Sequence, residues 1–153
     1  MAIEIERKFL LASETWRSAV TTSTRIAQGY LCTDPERTVR VRLKGEAGFL
    51  TIKGKNEGIA RAEFEYPVPA GDAAAMLVLC PNVVDKTRHL VPIGTQLWEI
   101  DEFHGDNAGL IVAEIELPSV DAAFEHPDWL GAEVSADPRY FNSALSEQPY
   151  RRW

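Results

Sequence analysis

Residues 1–10 read MAIEIERKFL, a stretch in which charged and apolar side chains alternate. Successive side chains of a strand point to opposite faces, so Glu4, Glu6 and Lys8 share one face. The two carboxylates then lie about 7 Å apart, with an ammonium group beyond them. Such a face is half of a site for a hard divalent cation and a phosphate. The alternative interpretation is the solvated face of an edge strand, and the remaining strands decide between the two.

The composition predicts one soluble domain spanning residues 1–153. A chain of 153 residues with 45% hydrophobic content can bury one sizeable core. Its formal net charge of −7 argues against nucleic-acid binding, which requires a basic surface. Cys32 and Cys80 are far apart, and neither a signal peptide nor a long apolar run is visible. We therefore expect a reduced, cytoplasmic protein with no nucleic-acid partner and no membrane association.

Turn and capping signals divide the chain into eight strands with helices between them. The strands are expected at residues 1–10, 26–31, 38–43, 49–55, 59–68, 83–91, 96–103 and 110–117. Helices are expected after Ser13, over 72–80, over 119–124, and from Asp137 to about Gln148. The hairpin-connected order of the strands predicts an α+β fold, built on a closed or nearly closed antiparallel barrel.

The charged residues of the other strands also recur at every second position. They form the groups Arg40/Arg42, Lys53/Lys55, Arg61/Glu63/Glu65, Lys86/Arg88, Glu99/Asp101 and Glu114/Glu116. A face selected for solubility would mix the two signs, because adjacent like charges repel. Here the neighbours are mostly of like sign, which is tolerated when a group of opposite charge lies between them. The basic pairs therefore indicate a bound polyanion and the acidic pairs indicate metal ions.

Two architectures fit this alternation. In a sandwich the charged face meets water; in an inverted barrel it lines the bore and helices cover the apolar outside. Segregation of the two signs favours the charged bore. The apolar side chains of opposite parity are then expected on the outer wall under helices, among them Ile3, Ile5, Val41, Ile52 and Ile115.

The motifs E-I-E-R-K-F-L, T-V-R-V-R, T-I-K-G-K, R-A-E-F-E-Y, K-T-R, W-E-I-D-E-F, A-E-I-E-L and D-P-R-Y-F-N occur in this order along the chain. Together the motifs resemble the CYTH superfamily, also called the triphosphate tunnel metalloenzymes. The resemblance implies an eight-stranded antiparallel β-barrel, or tunnel, with a charged bore and helices packed outside. It further implies that the bore binds a triphosphate together with a divalent metal.

The resemblance also implies roles for individual residues. Metal ligation, by one or two Mg²⁺ or Mn²⁺ ions, falls to Glu4, Glu6, Glu114 and Glu116, with Asp101 as a further ligand, direct or through water. Phosphate contact falls to Lys8, Arg40, Arg42, Lys53, Lys86 and Arg88, and also to Lys55 near the mouth of a hairpin. His89 is assigned no role. Arg139 is either a surface arginine or a further phosphate contact.

Tyr30 is the candidate proton acceptor for an attacking water. Beside the Lys8 ammonium its phenolate would be stabilised, so that Tyr30 could act as a general base with Lys8 as its partner. The alternative is a tyrosine of the barrel wall with a satisfied hydroxyl group.

The expected reaction is metal-dependent hydrolysis of a small-molecule triphosphate, inorganic tripolyphosphate, to pyrophosphate and phosphate. The short chain and compact hairpins leave little room for a nucleoside or thiamine pocket. The alternatives are a class IV adenylyl cyclase, a thiamine triphosphatase, and a non-catalytic polyphosphate- or nucleotide-binding module. Such a module would gain nothing from Glu114 and Glu116 in the bore. A homodimer is left open.

Overall fold

The computed structural model describes residues 3–153 and contains nine strands in that range. The strands are β1 Ile3–Leu11, β2 Thr22–Cys32, β3 Arg37–Lys44, β4 Ala47–Gly54, β5 Ala60–Val68, β6 Val83–Ile93, β7 Gln96–Phe103, β8 Ile111–Glu116 and β9 Leu130–Glu133. The helices are α1 Ala70–Leu79 and α2 Asn142–Glu147, with 3₁₀ turns at Thr15–Ala19, Gly105–Asn107, Pro138–Tyr140 and Tyr150–Arg152. Residues 1 and 2, which open the predicted first strand, lie outside the described range.

Eight of the strands form a closed antiparallel barrel. The hydrogen-bonded order is β5-β4-β3-β2-β6-β7-β8-β1, and a β1–β5 pairing closes the circle. β1 achieves this by changing partners: Ile3 is opposite Ala62 of β5, whereas Phe9 is opposite both Ala113 of β8 and Glu133 of β9. The predicted eight-stranded α+β barrel is confirmed. The ninth strand lies outside the barrel and was not predicted, because its four residues carry no clear alternation.

The charged side chains, which occupy every second position of the strands, point to the inside of the barrel. Cross-strand partners share a face, and the register pairs Lys8 with Glu114 and Arg88 with Asp101. Such charged side chains line a central cavity. The predicted charged bore is therefore confirmed, and the solvated sandwich is wrong.

The outside of the barrel is covered over part of its circumference. Trp16, Trp98, Ile115 and Trp129 form one buried cluster beneath the segments that follow β1 and β8. A second cluster lies under α1, where Val41 is fully buried. Ile3 and Ile52, however, are 51% and 38% exposed, so the expectation that helices cover them is wrong.

One end of the barrel interior is filled with apolar side chains. Val84, Phe103 and Val112 are cross-strand partners of the inward-facing Gln28, Lys86 and Asp101, and so they also point inward. Tyr140 and Leu145, from the C-terminal turn and α2, pack onto them. The C-terminal segment thus closes this end, and the bore is a blind channel rather than an open tunnel.

The C-terminal helix is interrupted. Asp137 caps it as predicted, since its carboxylate accepts a hydrogen bond from the Arg139 amide, but only a 3₁₀ turn follows. Phe141 is extended, with φ −66° and ψ 137°, before α2 begins. This break lets the Phe141 ring lie 5.7 Å from the Lys8 ammonium. The continuous helix predicted from Asp137 to Gln148 is therefore wrong.

Two other predicted helices differ in the structure. The segment after Ser13 is a single 3₁₀ turn, and the Ser13 hydroxyl oxygen accepts a hydrogen bond from the Thr15 amide over 3.4 Å. Over residues 119–124 a turn at residues 120–121 is followed by irregular backbone instead of a helix. There, the Ser119 hydroxyl donates to the Asp121 carboxylate, and Phe124 stacks on His126 and meets Trp98 edge to face. Over residues 3–153, no helix has the length and apolar character required to cross a membrane.

Candidate functional site

A cavity of about 290 Å³ occupies the charged part of the barrel. Its cationic lining residues are Lys8, Arg40, Arg42, Lys44, Lys53, Arg61, Lys86 and Arg88, and its acidic lining residues are Glu4, Glu6, Glu63, Glu65, Glu99, Glu114 and Glu116. An acidic chain has thus collected half of its sixteen lysines and arginines around one small space. The cavity can neutralise and orient a compact polyanion.

Arg40 and Arg42 form a paired basic wall on β3. Both are 8% exposed, and their Nη2 atoms donate to the same oxygen of Glu65 over 3.4 Å and 3.3 Å. The Thr51 hydroxyl donates to that oxygen as well, over 2.8 Å. Burial, together with the charges of Arg40 and Arg88, lowers the pKa of Arg42 to about 10. The buried Nε atoms of both arginines have no protein partner.

Lys86 and Arg88 on β6 are held by Asp101. Lys86 Nζ donates to Asp101 over 2.7 Å, and Arg88 donates to it through Nε over 2.8 Å and Nη2 over 2.9 Å. Burial alone would raise the pKa of Asp101, but Arg88 and Lys86 hold it well below its usual range. Burial lowers the pKa of Lys86 to about 8. Asp101 is fully buried, and both of its oxygens are engaged by these two cations. Its role as a metal ligand, direct or through water, stays a prediction.

The four other predicted metal ligands line the opposite, acidic wall. Burial and the neighbouring Glu114 carboxylate raise the pKa of Glu6 well above its usual range. Burial, Glu4 and Glu99 raise the pKa of Glu116. Glu114 differs: burial opposes ionisation, but Lys8 and Arg88 lower its pKa to about 2. This wall therefore holds more negative charge than its lysines compensate.

The acidic wall is partly cross-linked by lysines. Lys53 lies 3.0 Å from a Glu4 oxygen and 3.2 Å from a Glu63 oxygen. Lys8 is less tightly paired, 3.8 Å from Glu114 and 3.9 Å from Glu6. Within residues 3–153, no three acidic, histidine or cysteine side chains converge closely enough to form a ready-made metal cluster. Glu4, Glu6, Glu114 and Glu116 share the cavity without meeting at one point.

Tyr30 lines the same cavity from β2, opposite Arg40 in the register. It is 7% exposed, and its hydroxyl oxygen is 3.5 Å from the Gln28 amide nitrogen. Lys8 stays cationic: burial opposes its charge, but Glu114 and Glu6 raise its pKa. The structure thus brings the proposed base and an ammonium group to one small space.

Three other residues considered in the sequence lie outside the cavity. Lys55, predicted to contact phosphate, follows the end of β4; its side chain is 66% exposed and lies 3.6 Å from Glu36. Arg139 pairs with Asp137 on the surface and lies over the Trp153 ring. His89 faces outward between Ser23 and Glu102.

Sequence reasoning omitted several lining residues from the candidate site. The alternation along β5 places Glu63 and Glu65 on the same face as Arg61, so the sequence indicated that they point inward, but no role was assigned to them. Asn142 closes the D-P-R-Y-F-N motif, but no role was assigned to it either. Its side-chain oxygen accepts from Gln28 over 3.0 Å and from Lys86 over 3.2 Å, contacts that exist because the C-terminal segment folds back onto the barrel.

Comparison with known proteins agrees with this architecture. The CYTH domain family model matches residues 2–146. An inorganic triphosphatase of Acetivibrio thermocellus is 43% identical over 100% of this chain and 99% of its own length. An inorganic triphosphatase of Nitrosomonas europaea is 38% identical over 94% of this chain and 96% of its own length.

A solved structure supports the same relationship. The crystal structure of the inorganic triphosphatase NE1496 superimposes with a TM-score of 0.67 and 34% identity, over 95% of both chains. Because the family model and the full-length relatives coincide with the charged barrel described above, the chain belongs to the CYTH domain family.

Proposed function

We propose that this protein is an inorganic triphosphatase that uses a divalent metal to hydrolyse tripolyphosphate to pyrophosphate and phosphate. The observation that carries the proposal is the small, blind, cation-lined cavity, with relatives named inorganic triphosphatase as support. At about 290 Å³ the cavity lies at the lower limit of ligand sites, which run from roughly 300 to 1,000 Å³. Such a space suits a compact anion better than a nucleotide.

The charge of the cavity supports a role for metal ions. Eight cationic and seven acidic side chains line it, and Asp101 behind the wall adds an eighth carboxylate. The fixed charges therefore nearly cancel. A bound tripolyphosphate adds about four to five negative charges, which two divalent cations would offset.

The donor set suits such cations, since Mg²⁺ binds through one or two carboxylates together with phosphate oxygens. Glu4, Glu6, Glu114 and Glu116 would hold the metal. Burial, together with neighbouring carboxylates, raises the pKa values of Glu6 and Glu116, and a cation among these groups would stabilise their charged forms. When bound, Mg²⁺ or Mn²⁺ neutralises charge that develops on the phosphate oxygens during transfer.

The chain's own cations bind and orient the substrate. Arg40 and Arg42 make only long Nη2 contacts to Glu65, 3.4 Å and 3.3 Å, so their guanidinium groups can turn to phosphate oxygens without first breaking strong contacts. Arg88 remains tied to Asp101 and therefore acts as a fixed charge. Orientation of this kind accounts for much of the catalysis of phosphoryl transfer.

Tyr30 is the proposed proton acceptor for the attacking water. It lies on the cavity wall among cationic residues, and the Lys8 ammonium contributes positive potential in the same space. A phenolate formed there would remove the proton from water as it attacks the terminal phosphorus.

The test is a phosphate-release panel with tripolyphosphate, ATP, thiamine triphosphate and pyrophosphate, each with Mg²⁺, Mn²⁺ or Ca²⁺. We expect tripolyphosphate with Mg²⁺ or Mn²⁺ to be turned over fastest, and Ca²⁺ to inhibit because its larger coordination shell misplaces the reacting groups. Cyclic AMP as the main product from ATP would replace the proposal with an adenylyl cyclase. Full activity in EDTA would remove the metal from the mechanism.

A variant of the acidic wall completes the test. Glu116→Gln should abolish turnover while the circular dichroism spectrum and the melting curve stay close to those of the wild type. Glu57→Gln is the matched control, because Glu57 is exposed and does not line the cavity. Full turnover by Glu116→Gln would contradict the assignment of the acidic wall.

A further inference from the structure

The outer wall of β5 and its neighbours carries a continuous uncovered apolar surface. We call it the β5 face and define it by Ile3, Ile52, Ala62, Phe64 and Tyr66. Its members are contiguous, since Ile52 is opposite Phe64 and Ile3 is opposite Ala62 in the register. Phe64 is 45% and Tyr66 56% exposed.

The β5 face carries no charge, whereas several outward positions elsewhere form ion pairs: Arg7 with Glu133, Arg25 with Asp85, and Glu102 with Arg17. Other outward positions, such as Leu31 and Val83, are apolar and partly exposed. The outward positions of β4 and β5 carry no charge at all; they are Gly48, Leu50, Ile52, Gly54, Ala60, Ala62, Phe64, Tyr66 and Val68. Leu50 and Val68 pack against α1, whereas Phe64 and Tyr66 each keep about half of their surface exposed.

The exposed area is of the size that marks a protein interface. Large side chains present about 150–250 Å² each, so the four large members of the β5 face leave on the order of 350 Å² uncovered. The largest apolar patch of a typical monomer measures about 300–600 Å² and is often functional. A standard interface buries about 800 Å² per partner, so the β5 face would supply its apolar centre and neighbouring residues its rim.

The strand pairing around the β5 face is uneven. β4 is hydrogen-bonded to both β3 and β5, whereas β5 pairs with β1 only at residues 60–62 and from residue 63 onward has β4 as its one described strand partner. The β5 face itself presents side chains, so docking on it uses side chains and not the backbone edge of β5. Two chains of net charge −7 repel each other across any acidic surface, but an uncharged face brings no like charges into contact.

We infer that the β5 face is the interface of a two-fold symmetric homodimer. Each copy presents the same uncharged side chains, as an isologous contact requires. Inward-facing Arg61, Glu63 and Glu65 lie on the opposite side of β5, so the contact supports the cavity wall without entering the cavity.

The test is sedimentation velocity on the full chain from about 1 to about 100 µM, because self-association depends on protein concentration. The wild type should sediment at twice its chain mass of 17.1 kDa. Phe64→Asp should weaken dimerisation by at least about 100-fold, the effect expected when a charge enters the centre of an interface. Tyr66→Glu, at a more exposed position, should do the same and serves if Phe64→Asp fails to fold.

The matched controls are Val78→Asp and Leu79→Asp. These side chains on α1 are 84% and 74% exposed but lie outside the β5 face, so both variants should remain dimeric. A cooperative melting curve confirms that each variant is folded. The inference is overturned by a monomeric wild type at 100 µM, by a dimer that survives both β5-face variants, or by equal dissociation in the controls.

Discussion

The two ends of the barrel interior are built on the same strands but have opposite chemistry. Along β6, inward-facing Val84 is followed by Lys86 and Arg88; along β8, Val112 is followed by Glu114 and Glu116. The apolar end is packed by Leu145 and Tyr140, whereas the charged end surrounds the cavity. One strand can thus supply both a core and a binding site, because the alternation fixes the face and the C-terminal segment determines how deep solvent reaches.

At the charged end, we expect the largest loss of kcat from substitution of the groups that act on the attacking water. Tyr30→Phe should lower kcat by about 10²–10⁴, the range of a lost general base, with little change in KM. Lys8→Ala should give a comparable or larger loss. Steady-state kinetics on tripolyphosphate provides the measurement.

Tyr66→Phe is the matched control, because Tyr66 faces outward and is 56% exposed. It should leave kcat within about twofold, because the Tyr66 side chain does not line the cavity. If Tyr30→Phe had a near-normal kcat, Tyr30 would belong to the wall and not to the reaction.

The next effect tests whether the charged end also contains structural charges. Asp101→Asn should lower the free energy of unfolding by about 3–5 kcal/mol, since it leaves Lys86 and Arg88 buried without their carboxylate. Glu99→Gln, which removes a partly exposed partner of Arg88, should cost less than about 1 kcal/mol. Urea unfolding measures the free energy of unfolding of the two variants. Equal losses of stability would contradict the proposal that Asp101 is a structural charge and Glu99 is not.

The same carboxylate gives a pH dependence. Its pKa is about 3.9 in an unfolded chain and lies well below that in the folded protein, despite burial, because of Arg88 and Lys86. A lowered pKa stabilises the folded state fully at pH values above the unfolded pKa, and this stability is lost progressively as the pH falls from there towards the lower pKa of the folded state. Urea unfolding from about pH 6 to about pH 3 should therefore show declining stability, with a shallower decline in Asp101→Asn. If stability fell equally with pH in the wild type and in Asp101→Asn, the acid sensitivity would arise from groups other than Asp101.

Substitutions at the apolar end should lower the free energy of unfolding without changing kcat/KM. Leu145→Ala, at a fully buried position, should lower the free energy of unfolding by about 2–4 kcal/mol. The kcat/KM measured where the variant is folded should stay within about twofold, because Leu145 does not line the cavity. Val78→Ala, at a position 84% exposed, should change stability by less than about 0.5 kcal/mol. A large loss of kcat/KM would show that the two ends are coupled.

The smallest expected effect is a difference in KM between variants of two lysines, Lys53 and Lys55, that lie two residues apart. Lys53 lines the cavity and contacts Glu4 and Glu63, so Lys53→Ala should raise KM by roughly tenfold, the value of a charge-assisted hydrogen bond. Lys55 lies outside the cavity, and Lys55→Ala should change KM by less than about twofold. Similar KM values for the two variants would place both lysines in the same environment.

The parts of the fold that follow from alternation could be predicted from the sequence. Side chains at every second position face the same way, so the inward orientation of Glu4, Arg40 and Lys86 needed only the strand pattern and a decision about which face is inside. The like-signed pairs supplied that decision. The hairpin order of the strands then gave the barrel.

The parts that depend on long-range packing could not be predicted. Whether Asp101 faces a metal or two cations depends on the register of β6 against β7, which parity does not fix. The blind end requires that Leu145 and Tyr140 fold back onto strands far away in the chain. Lys55 has the correct parity but lies past the end of β4, and strand ends are set by tertiary contacts.

β1 pairs with three other strands, and this pairing affects the order in which the barrel forms. This strand begins at residue 3, yet its partners β5, β8 and β9 span residues 60–68, 111–116 and 130–133. During synthesis β1 therefore leaves the ribosome long before any partner exists. Pairings of such sequence separation form slowly, because a long loop must close before the contacts are gained. Glu4, Glu6 and Lys8 all lie on β1, so the site is completed when the barrel closes, and a nascent chain lacking residues 111–116 cannot assemble it.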